Sequence, residues 1–379
     1  MLYPSNLDQK INFQKIKELI KAECTSPLGQ DYVDKVSFSS DFQLVQRLLD
    51  QTDEFRQLLI SGETFPSSNF TNLYPYLEKA KLEGAFLDQE EFYEVKLALQ
   101  TLRGCVTFFQ KNAEAYPTLS ALLGLLLDLD LNLLKSIDQI IDEKGKIRSN
   151  ASKELQLIRN QLIYEEGRLR KVMERIFKEA RAKGLTPEDA AMTIRGGRMV
   201  IPVAAENKRK LRGFIHDESA TGQTVFMEPE EALDINNEIR DLEYMEKREI
   251  IRILTRLTDQ LRPSIPVLRK ATNFLGLIDF IRAKARFALK TDSSKPQLVK
   301  ERQLKWTRAR HPILEMSLKS QGRQIVPLEI KLGGHERLLV ISGPNAGGKS
   351  VTLKTVALIQ YMLQCGLLIP VHPDSVCTL

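Results

Sequence analysis

The chain has 379 residues, of which 42% are hydrophobic and 27% are charged. This length suits two to three domains at roughly 150 residues each, and the composition is typical of a globular protein. The most apolar run, residues 121–134, is too short to span a bilayer and contains two aspartates. The first residues lack the basic and apolar segments of a secretory signal, so we expect a cytoplasmic protein without a membrane span.

The four cysteines are far apart in the sequence and have no C-x-x-C spacing: Cys24, Cys105, Cys365 and Cys377. The chain shows none of the paired cysteine and histidine spacings that are typical of a zinc site. The cysteine pattern therefore argues against zinc and indicates reduced thiols.

The net charge of +6 is distributed unevenly. Residues 1–140 carry 13 lysines and arginines against 20 aspartates and glutamates, residues 141–300 carry 32 against 24, and residues 301–379 carry 10 against 5. An acidic first third and a basic remainder indicate that a polyanionic partner would contact the second half. The alternative is that the basic residues form ordinary solvated helix surfaces, and charge alone does not decide between the two.

Apolar residues repeat at three and four positions through most of the chain, which predicts helices. Residues 8–140 are predicted to form several helices separated by polar breaks. Two longer patterns, at residues 150–183 and 230–261, each predict one helix of roughly thirty residues. At 1.5 Å per residue, each of these helices would be about 45 Å long.

Between the two long helices the period changes from 3.6 to two. Residues 192–229 alternate apolar and polar side chains around turn-forming pairs, which predicts three or four short strands. This β unit would connect a helix that leads out to a helix that returns. Its loops concentrate basic residues, which we predict as the polyanion contact: Arg195, Arg198, Lys208, Arg209, Lys210 and Arg212.

The last segment has α/β character. "IVPLEIKL" and "LLVIS", the latter at 338–342, predict strands, and a helix is predicted from Lys349 to Cys365 with a stop at Gly366. The intervening "GPNAGGKS" fits G-x-x-x-x-G-K-[ST], the loop that wraps nucleotide phosphates with backbone N–H groups. Lys349 would reach the β and γ phosphates, and the Ser350 hydroxyl would ligate Mg²⁺.

The inner residues of this loop resemble the ATPase of the MutS mismatch-repair family. "ARHPILE" and "CGLLIPV" are similar to family segments on either side, and "GFIHDESATGQTVFMEPEEALDINNEIRDLE" resembles the arm of the type-two MutS branch. That branch lacks the N-terminal domain that recognises mismatches. The resemblance implies a mainly α-helical core with long lever helices, a small β tip between them, and the start of an α/β P-loop ATPase domain of the ABC type.

The segments predicted on this basis are a helical core at 1–149, an outgoing lever helix at 150–190, a clamp-like β tip at 191–229, a returning lever helix and core helix at 230–300, and part of the ATPase domain at 301–379. Few residues follow Lys349, and Asp374 is the only acidic residue among them. The acidic strand and the dimer signature of the family therefore have no counterpart in the chain. We expect a truncated protein that binds ATP but hydrolyses it close to the background rate.

The resemblance implies particular roles for particular residues. ATP would be bound by Gly343, Pro344, Asn345, Ala346, Gly347, Gly348, Lys349 and Ser350. Ile325 and Val326 fall where the family packs adenine, although they could equally be strand core. His311 is expected to be structural, and a hydrolytic triad of His216, Asp217 and Ser219 is rejected because no nucleophile elbow surrounds the serine.

The implied function is an ATP-dependent grip on branched or structured DNA, with homodimers, in recombination suppression or DNA repair. Some lineages of the branch are associated with ribosomes instead, and the sequence does not choose between the two. A coiled-arm ATPase of the chromosome-maintenance kind is disfavoured, because in such proteins the phosphate loop precedes the arms. A helical scaffold that needs no nucleotide is the third hypothesis.

Overall fold

The computed structural model describes residues 6–126, 132–342 and 348–379. The chain divides into two compact units that are not continuous in sequence. The first unit comprises Met1–Glu83, Glu94–Leu134 and Arg262–Leu379, and the second comprises Gly84–Tyr93 and Lys135–Leu261. The five-segment division expected from the sequence stays a prediction.

Helices dominate the described residues, as the 3.6-residue period predicts. They are α1 (Leu7–Lys10), α2 (Phe13–Lys21), α3 (Pro27–Asp34), α4 (Phe42–Ser61), α5 (Tyr74–Lys81), α6 (Gln89–Lys111), α7 (Pro117–Ser120), α8 (Asn132–Ile140), α9 (Lys153–Ala182), α10 (Glu230–Leu261), α11 (Ile265–Lys290), α12 (Pro312–Ser320) and α13 (Lys349–Gln364). Within these described ranges, no helix combines the length and the apolar composition needed to cross a membrane.

The first unit is organised around α11, which is buried along most of its length. Ser26 is the N-cap of helix α3, and its hydroxyl accepts a hydrogen bond from Gly29 N at 3.1 Å. The Ser26 hydroxyl also donates to the buried carboxylate of Asp279 in α11 at 2.7 Å. A side chain at Gly29 would place its Cβ 2.5 Å from Asp279 Oδ2, so glycine allows α3 to approach α11 this closely.

A mixed sheet of four strands belongs to the same unit. Its strands are β5 (Gln297–Leu298), β6 (Gln303–Ala309), β7 (Leu328–Gly333) and β8 (Val376–Cys377), in the order β5-β8-β6-β7. Strands β6 and β7 are antiparallel and pair Trp306 with Ile330. Both of these residues are buried in a hydrophobic core with residues of α2, α11 and α13.

The predicted strand at 338–342 is wrong: these residues have no strand pairing in the structure. Leu338 is 90% exposed and Val340 is 86% exposed. A strand that is apolar on both faces needs covering layers and a paired neighbour, and residues 338–342 are exposed and unpaired in the structure. The other predicted strand is confirmed in part, because β7 begins at Leu328, after Ile325–Pro327.

The second unit contains the two long helices, which agree closely with the predicted patterns. Ser152 caps α9 through its hydroxyl, which accepts a hydrogen bond from Leu155 N at 3.0 Å and donates one to Glu249 of α10 at 2.6 Å. Arg159 of α9 forms an ion pair with Glu246 of α10 at 2.7 Å. Because these contacts join residues early in α9 to residues late in α10, the two helices run antiparallel.

The β unit between these helices is confirmed as four short strands. They are β1 (Thr193–Arg195), β2 (Arg198–Ala204), β3 (Gly213–Glu218) and β4 (Thr224–Pro229), all antiparallel, in the order β1-β2-β4-β3. Alternate residues of β2 and β4 point into a core shared with α9 and α10, including Ile201, Val203, Val225 and Met227. We call this β unit, residues 193–229, the tip.

Candidate nucleotide and nucleic-acid sites

Helix α13 begins at the lysine of the predicted phosphate loop. Gly348 is its N-cap with a φ of +83°, a conformation that favours glycine, and its carbonyl accepts the first helical hydrogen bond from Thr352 N at 2.9 Å. Lys349 and Ser350 occupy the first turn, and Ser350 is exposed. A glycine cap supplies no side-chain acceptor, so the first-turn N–H groups favour an anion at this end of the helix.

The other predicted nucleotide contacts of the loop lie outside the described residues: Gly343, Pro344, Asn345, Ala346 and Gly347. The assignment of these five residues to ATP stays a prediction.

Helix α13 ends as predicted and is packed on one side. It stops at Gln364, and Gly366 follows with a φ of +70°. Its buried face includes Leu358 and Met362, which belong to the core of the first unit. The face near its beginning is open, since Val351 and Leu353 are both exposed. The predicted helix is therefore confirmed, but it is covered on one face only.

Ile325 and Val326 lie before β7, in a segment without regular structure. Ile325 is half-buried, whereas Val326 is 89% exposed. The alternative that both residues are strand core is therefore wrong. Their packing against adenine stays a prediction. The side chain of Val326 is accessible for such a contact.

His311 is structural, as expected. It is the N-cap of α12, and its Nδ1 accepts a hydrogen bond from Leu314 N at 3.3 Å. Burial lowers the pKa of His311, and the nearby positive charge of Lys354 lowers it further. A neutral imidazole is the form that can accept at Nδ1, so burial and capping favour the same protonation state.

The loop between β2 and β3 presents the densest group of exposed cations in the tip. It carries Lys208, Arg209, Lys210 and Arg212, and all four residues are exposed. Within the described residues, none of these four side chains forms an ion pair. We call these four residues the basic loop.

The backbone of the basic loop is fixed at several points. Ala205 N donates to Gln223 O at 2.9 Å, and Lys210 N donates to Asn207 O at 2.8 Å. The side chain of Asn207 is itself buried and donates to Gly184 O at 3.3 Å. The four charges are therefore displayed from an ordered backbone.

The other two residues predicted to contact a polyanion, Arg195 and Arg198, interact with side chains of the tip itself. Arg198 donates to the buried carboxylate of Glu228 at 2.7 Å, and its side chain is only 13% exposed. Arg195 lies over the ring of Phe226, 4.4 Å from its centroid, and approaches Asp217 at 3.6 Å. These contacts give both arginines structural roles in the tip, whereas their contact with a polyanion stays a prediction.

Glu228 organises this part of the tip, although no sequence pattern pointed to it. Its carboxylate accepts hydrogen bonds from Arg198 and from Asn236 Nδ2, the latter at 2.7 Å, and lies 2.5 Å from His216 Nε2. These partners come from two other strands and from α10, so no local sequence pattern could reveal the cluster. Ser219 bonds elsewhere, accepting from Thr224 N at 3.1 Å. His216 and Ser219 thus form no hydrolytic pair.

The four cysteines are buried or half-buried. All four are free, and burial raises the pKa of each thiol to about 12. Trp306 Nε1 donates to the sulfur of Cys377 at 2.9 Å in the core. Across the part of the chain that the structure describes, no group of three or more His, Cys, Asp or Glu residues is placed to hold a metal ion.

Comparison with known proteins supports the resemblance noted in the sequence. No protein-family model matches the chain. Curated proteins named Endonuclease MutS2 do match: one from Geobacillus sp. (strain WCH70) is 34% identical over 368 residues, one from Listeria monocytogenes is 35% identical over 369, and one from Bacillus cytotoxicus is 32% identical over 368. Each match covers 96% of this chain and 46% of the relative. The chain thus spans about half the length of these relatives, and its resemblance to the type-two MutS branch is confirmed.

Proposed function

Because this chain is a homologue of MutS2 proteins over nearly its whole length, we propose that it is an ATP-dependent DNA-binding protein of the MutS type. In this proposal the tip grips branched or structured DNA, and ATP-Mg²⁺ binds at the beginning of α13. The observation that carries the proposal is the basic loop of a MutS2 homologue. Its four cations are exposed at the end of an antiparallel helix pair and form no ion pair with any residue that the structure describes.

The free charges of the basic loop favour a phosphate backbone as the ligand. Lysine and arginine side chains that neutralise phosphates release counterions from the nucleic acid, which drives association. Arg195 and Arg198 already have acidic partners and would contribute less than Lys208–Arg212. Contacts of this kind position the protein on the backbone and do not read base sequence. We therefore expect the tip to select DNA by shape.

The beginning of α13 has the features that a triphosphate needs. Gly348 holds the left-handed conformation, the helix continues for 16 residues, and the first turn carries Lys349 and Ser350. Lys349 would pair with the phosphates, and Ser350 Oγ would be the protein ligand of Mg²⁺. When bound, ATP-Mg²⁺ would bring a highly charged triphosphate to this site. The ATPase chemistry of the family is the hydrolysis of that triphosphate. The residues of this chain would bind and orient it.

Binding to a four-way DNA junction and to a linear duplex of equal length tests the proposal. The chain should bind the junction more tightly, and saturating ATP-Mg²⁺ should change the affinity for the junction. EDTA added to the ATP sample provides the control for magnesium dependence. Equal affinity for the junction, the duplex and a non-nucleic polyanion such as heparin would contradict a grip on DNA shape.

Pairing of two copies is part of the same proposal. Sedimentation equilibrium with and without ATP-Mg²⁺ measures it directly. A monomer under both conditions, at concentrations that saturate nucleotide and DNA, would contradict pairing by this chain.

A further inference from the structure

Strand β3 is an unusual surface feature of the tip. It lies at one edge of the sheet, and all six of its residues are exposed. Phe214 is 55% exposed, and the adjacent Ile215 is also exposed. An aromatic ring on an edge strand is costly in water unless a partner covers it, which makes Phe214 a candidate contact residue.

Phe214 is held between two anchors that both involve Glu228. The preceding Gly213 packs so tightly on β4 that an added Cβ would lie 2.1 Å from the Glu228 carbonyl oxygen. On the other side, His216 Nε2 lies 2.5 Å from the buried Glu228 carboxylate, at a β-bulge. The backbone of Phe214 is therefore fixed on both sides, so binding through its ring would cost little conformational entropy.

The basic loop leads directly into this strand. Gly213 pairs with Pro229, and the next hydrogen bond, from Glu230 N to Arg212 O at 3.1 Å, continues the register to Arg212. Residues two apart in extended chain point to the same face and are separated by about 6.6 Å. Continuation of this register would place Arg212 and Phe214, a cation and an aromatic ring, at a spacing that suits a phosphate and the base attached to it.

The second aromatic ring of the sheet is already covered. Arg195 lies over Phe226, 4.4 Å from the ring centroid, and Phe226 is only partly exposed. Among the described residues, no aromatic ring or cation covers Phe214 in this way, so its ring is the accessible one.

We propose that Phe214 stacks on an unpaired base of the nucleic acid whose phosphates lie on the basic loop. The inference rests on the proposed function and deepens it, because it defines the ligand as a nucleic acid with an unstacked base, as at a bulge or a junction. Positive charge beside the ring favours this ligand over an apolar peptide. Stacking on an aromatic ring tolerates any base, which agrees with recognition by shape.

The test compares two ligands and four proteins. The ligands are a flush DNA duplex and the same duplex with a three-base bulge, and the proteins are the full chain, Phe214→Ala, Phe214→Trp and Tyr164→Ala. Tyr164 is the matched control, an exposed aromatic residue on α9 of the same unit. Phe214→Ala should lose about 5- to 140-fold in affinity for the bulged duplex, the range of one stacked base. Affinity for the flush duplex should be unchanged, and Phe214→Trp and Tyr164→Ala should bind both ligands like the parent chain.

A spectroscopic readout separates stacking from a structural effect. With 2-aminopurine as the bulged base, binding of the parent chain should change its fluorescence, and Phe214→Ala should abolish the change at saturating protein. The bulged ligand is prepared both as DNA and as RNA. The form that binds more tightly identifies the nucleic acid that supplies the base. Equal losses on the flush and bulged ligands, or an unaltered fluorescence change in Phe214→Ala, would overturn the stacking assignment.

Failure of this inference is distinguishable from failure of the proposed function. Replacing Lys208, Arg209 and Lys210 with alanine weakens both ligands if the basic loop binds phosphates, whatever Phe214 does. Normal binding by that triple variant would show that the tip is not the binding surface. If the triple variant binds more weakly and Phe214→Ala binds with normal affinity, only the stacking role of Phe214 is contradicted.

Discussion

Arg198 donates a 2.7 Å hydrogen bond to the carboxylate of Glu228, which is fully buried in the tip. The two residues are 30 positions apart and belong to different strands. From the sequence, Arg198 appeared to be a surface cation. Its pairing with Glu228 makes it part of the folded tip. It also means that loss of DNA binding on removal of Arg198 would not by itself demonstrate a DNA contact.

Replacing Arg198 with alanine should destabilise the tip by about 3–5 kcal/mol, because it removes the arginine that is paired with the buried Glu228 carboxylate. Native-state hydrogen exchange of the β2 and β4 amides measures this loss. Arg209→Ala is the control, since Arg209 is exposed and has no ion pair in the described structure, and it should change stability by less than about 0.5 kcal/mol. Unchanged exchange in Arg198→Ala would show that the pair contributes little to the tip.

The basic loop should determine the salt dependence of DNA binding. Each neutralised phosphate contributes about 0.9 to the slope of log affinity against log salt, so alanine at Lys208, Arg209 and Lys210 should reduce that slope by roughly two to three units on duplex DNA. Titrations should begin near 50 mM salt, where electrostatic binding is strong.

Binding along α10 is the alternative, and a second triple variant serves as the control. Arg248, Arg252 and Arg256 lie on that helix, and Arg252 already pairs with Glu249 and Glu154. Alanine at these three positions should leave the slope unchanged. A reduced slope for this variant, with a normal slope for the basic-loop variant, would move the contact surface to α10.

Lys349→Ala should weaken ATP-Mg²⁺ binding by about 10- to 150-fold, the range for losing one charge-assisted hydrogen bond. Calorimetry with the full chain measures the affinity. Lys354→Ala is the matched control, because it removes the same charge from the same helix beyond its first turn, where the helix dipole has little effect. Equal affinities of the parent chain and Lys349→Ala would remove the phosphate-loop assignment.

Gly29→Ala should destabilise the first unit, because the new Cβ would lie 2.5 Å from Asp279 Oδ2. Overpacking of a core costs ~1–3 kcal/mol, which exceeds the roughly 0.5–1 kcal/mol that alanine gains over glycine in a helix. Urea unfolding provides the free energy. Gly124→Ala is the control in the same unit, since nothing lies within 4 Å of its added Cβ. A variant at Gly29 as stable as the parent chain would show that α3 can shift away from α11.

The buried amine of Lys284 should make the stability of the first unit pH-dependent. Its Nζ is 3.4 Å from Gly366 O and 4.9 Å from the ring centroid of Phe280, contacts that do not replace water, and burial lowers its pKa to about 7 from an ordinary 10.5. At a pH between these two pKa values, Lys284 binds a proton in the unfolded chain but not in the folded chain. The free energy of unfolding should therefore rise with pH, by roughly 1.4 kcal/mol per pH unit from this residue.

Lys284→Met isolates this contribution. The variant should exceed the parent chain in stability most clearly below pH 7, where the buried charge is fully present in the parent, and the difference should shrink as the pH rises to 9. Urea unfolding at pH 6, 7, 8 and 9 measures the difference. Lys111→Met, at an exposed position of α6, should show a difference that does not vary with pH. A constant difference for Lys284→Met would contradict a depressed pKa.

Part of the architecture follows from local sequence alone. The 3.6-residue apolar period was enough to predict α9, and the period of two was enough to predict three or four short strands in the tip. The phosphate-loop motif predicted a helix from Lys349, where α13 does begin, and Gly348 before it holds a left-handed backbone that favours glycine. In these cases the information lies within one or two turns of the chain, where periodicity and capping act.

The tertiary structure decided which of the suggested residues are available for function. Arg198 and Arg209 look alike in the sequence, since both are arginines near turns, and what separates them is Glu228, which another strand places beside Arg198. Likewise, Leu338 and Val340 have the composition of strand residues but lack a pairing neighbour. Phe214 is accessible because β3 lies at an edge of its sheet. Ion pairing, strand pairing and exposure all depend on residues distant in the sequence, so composition and periodicity could not determine them.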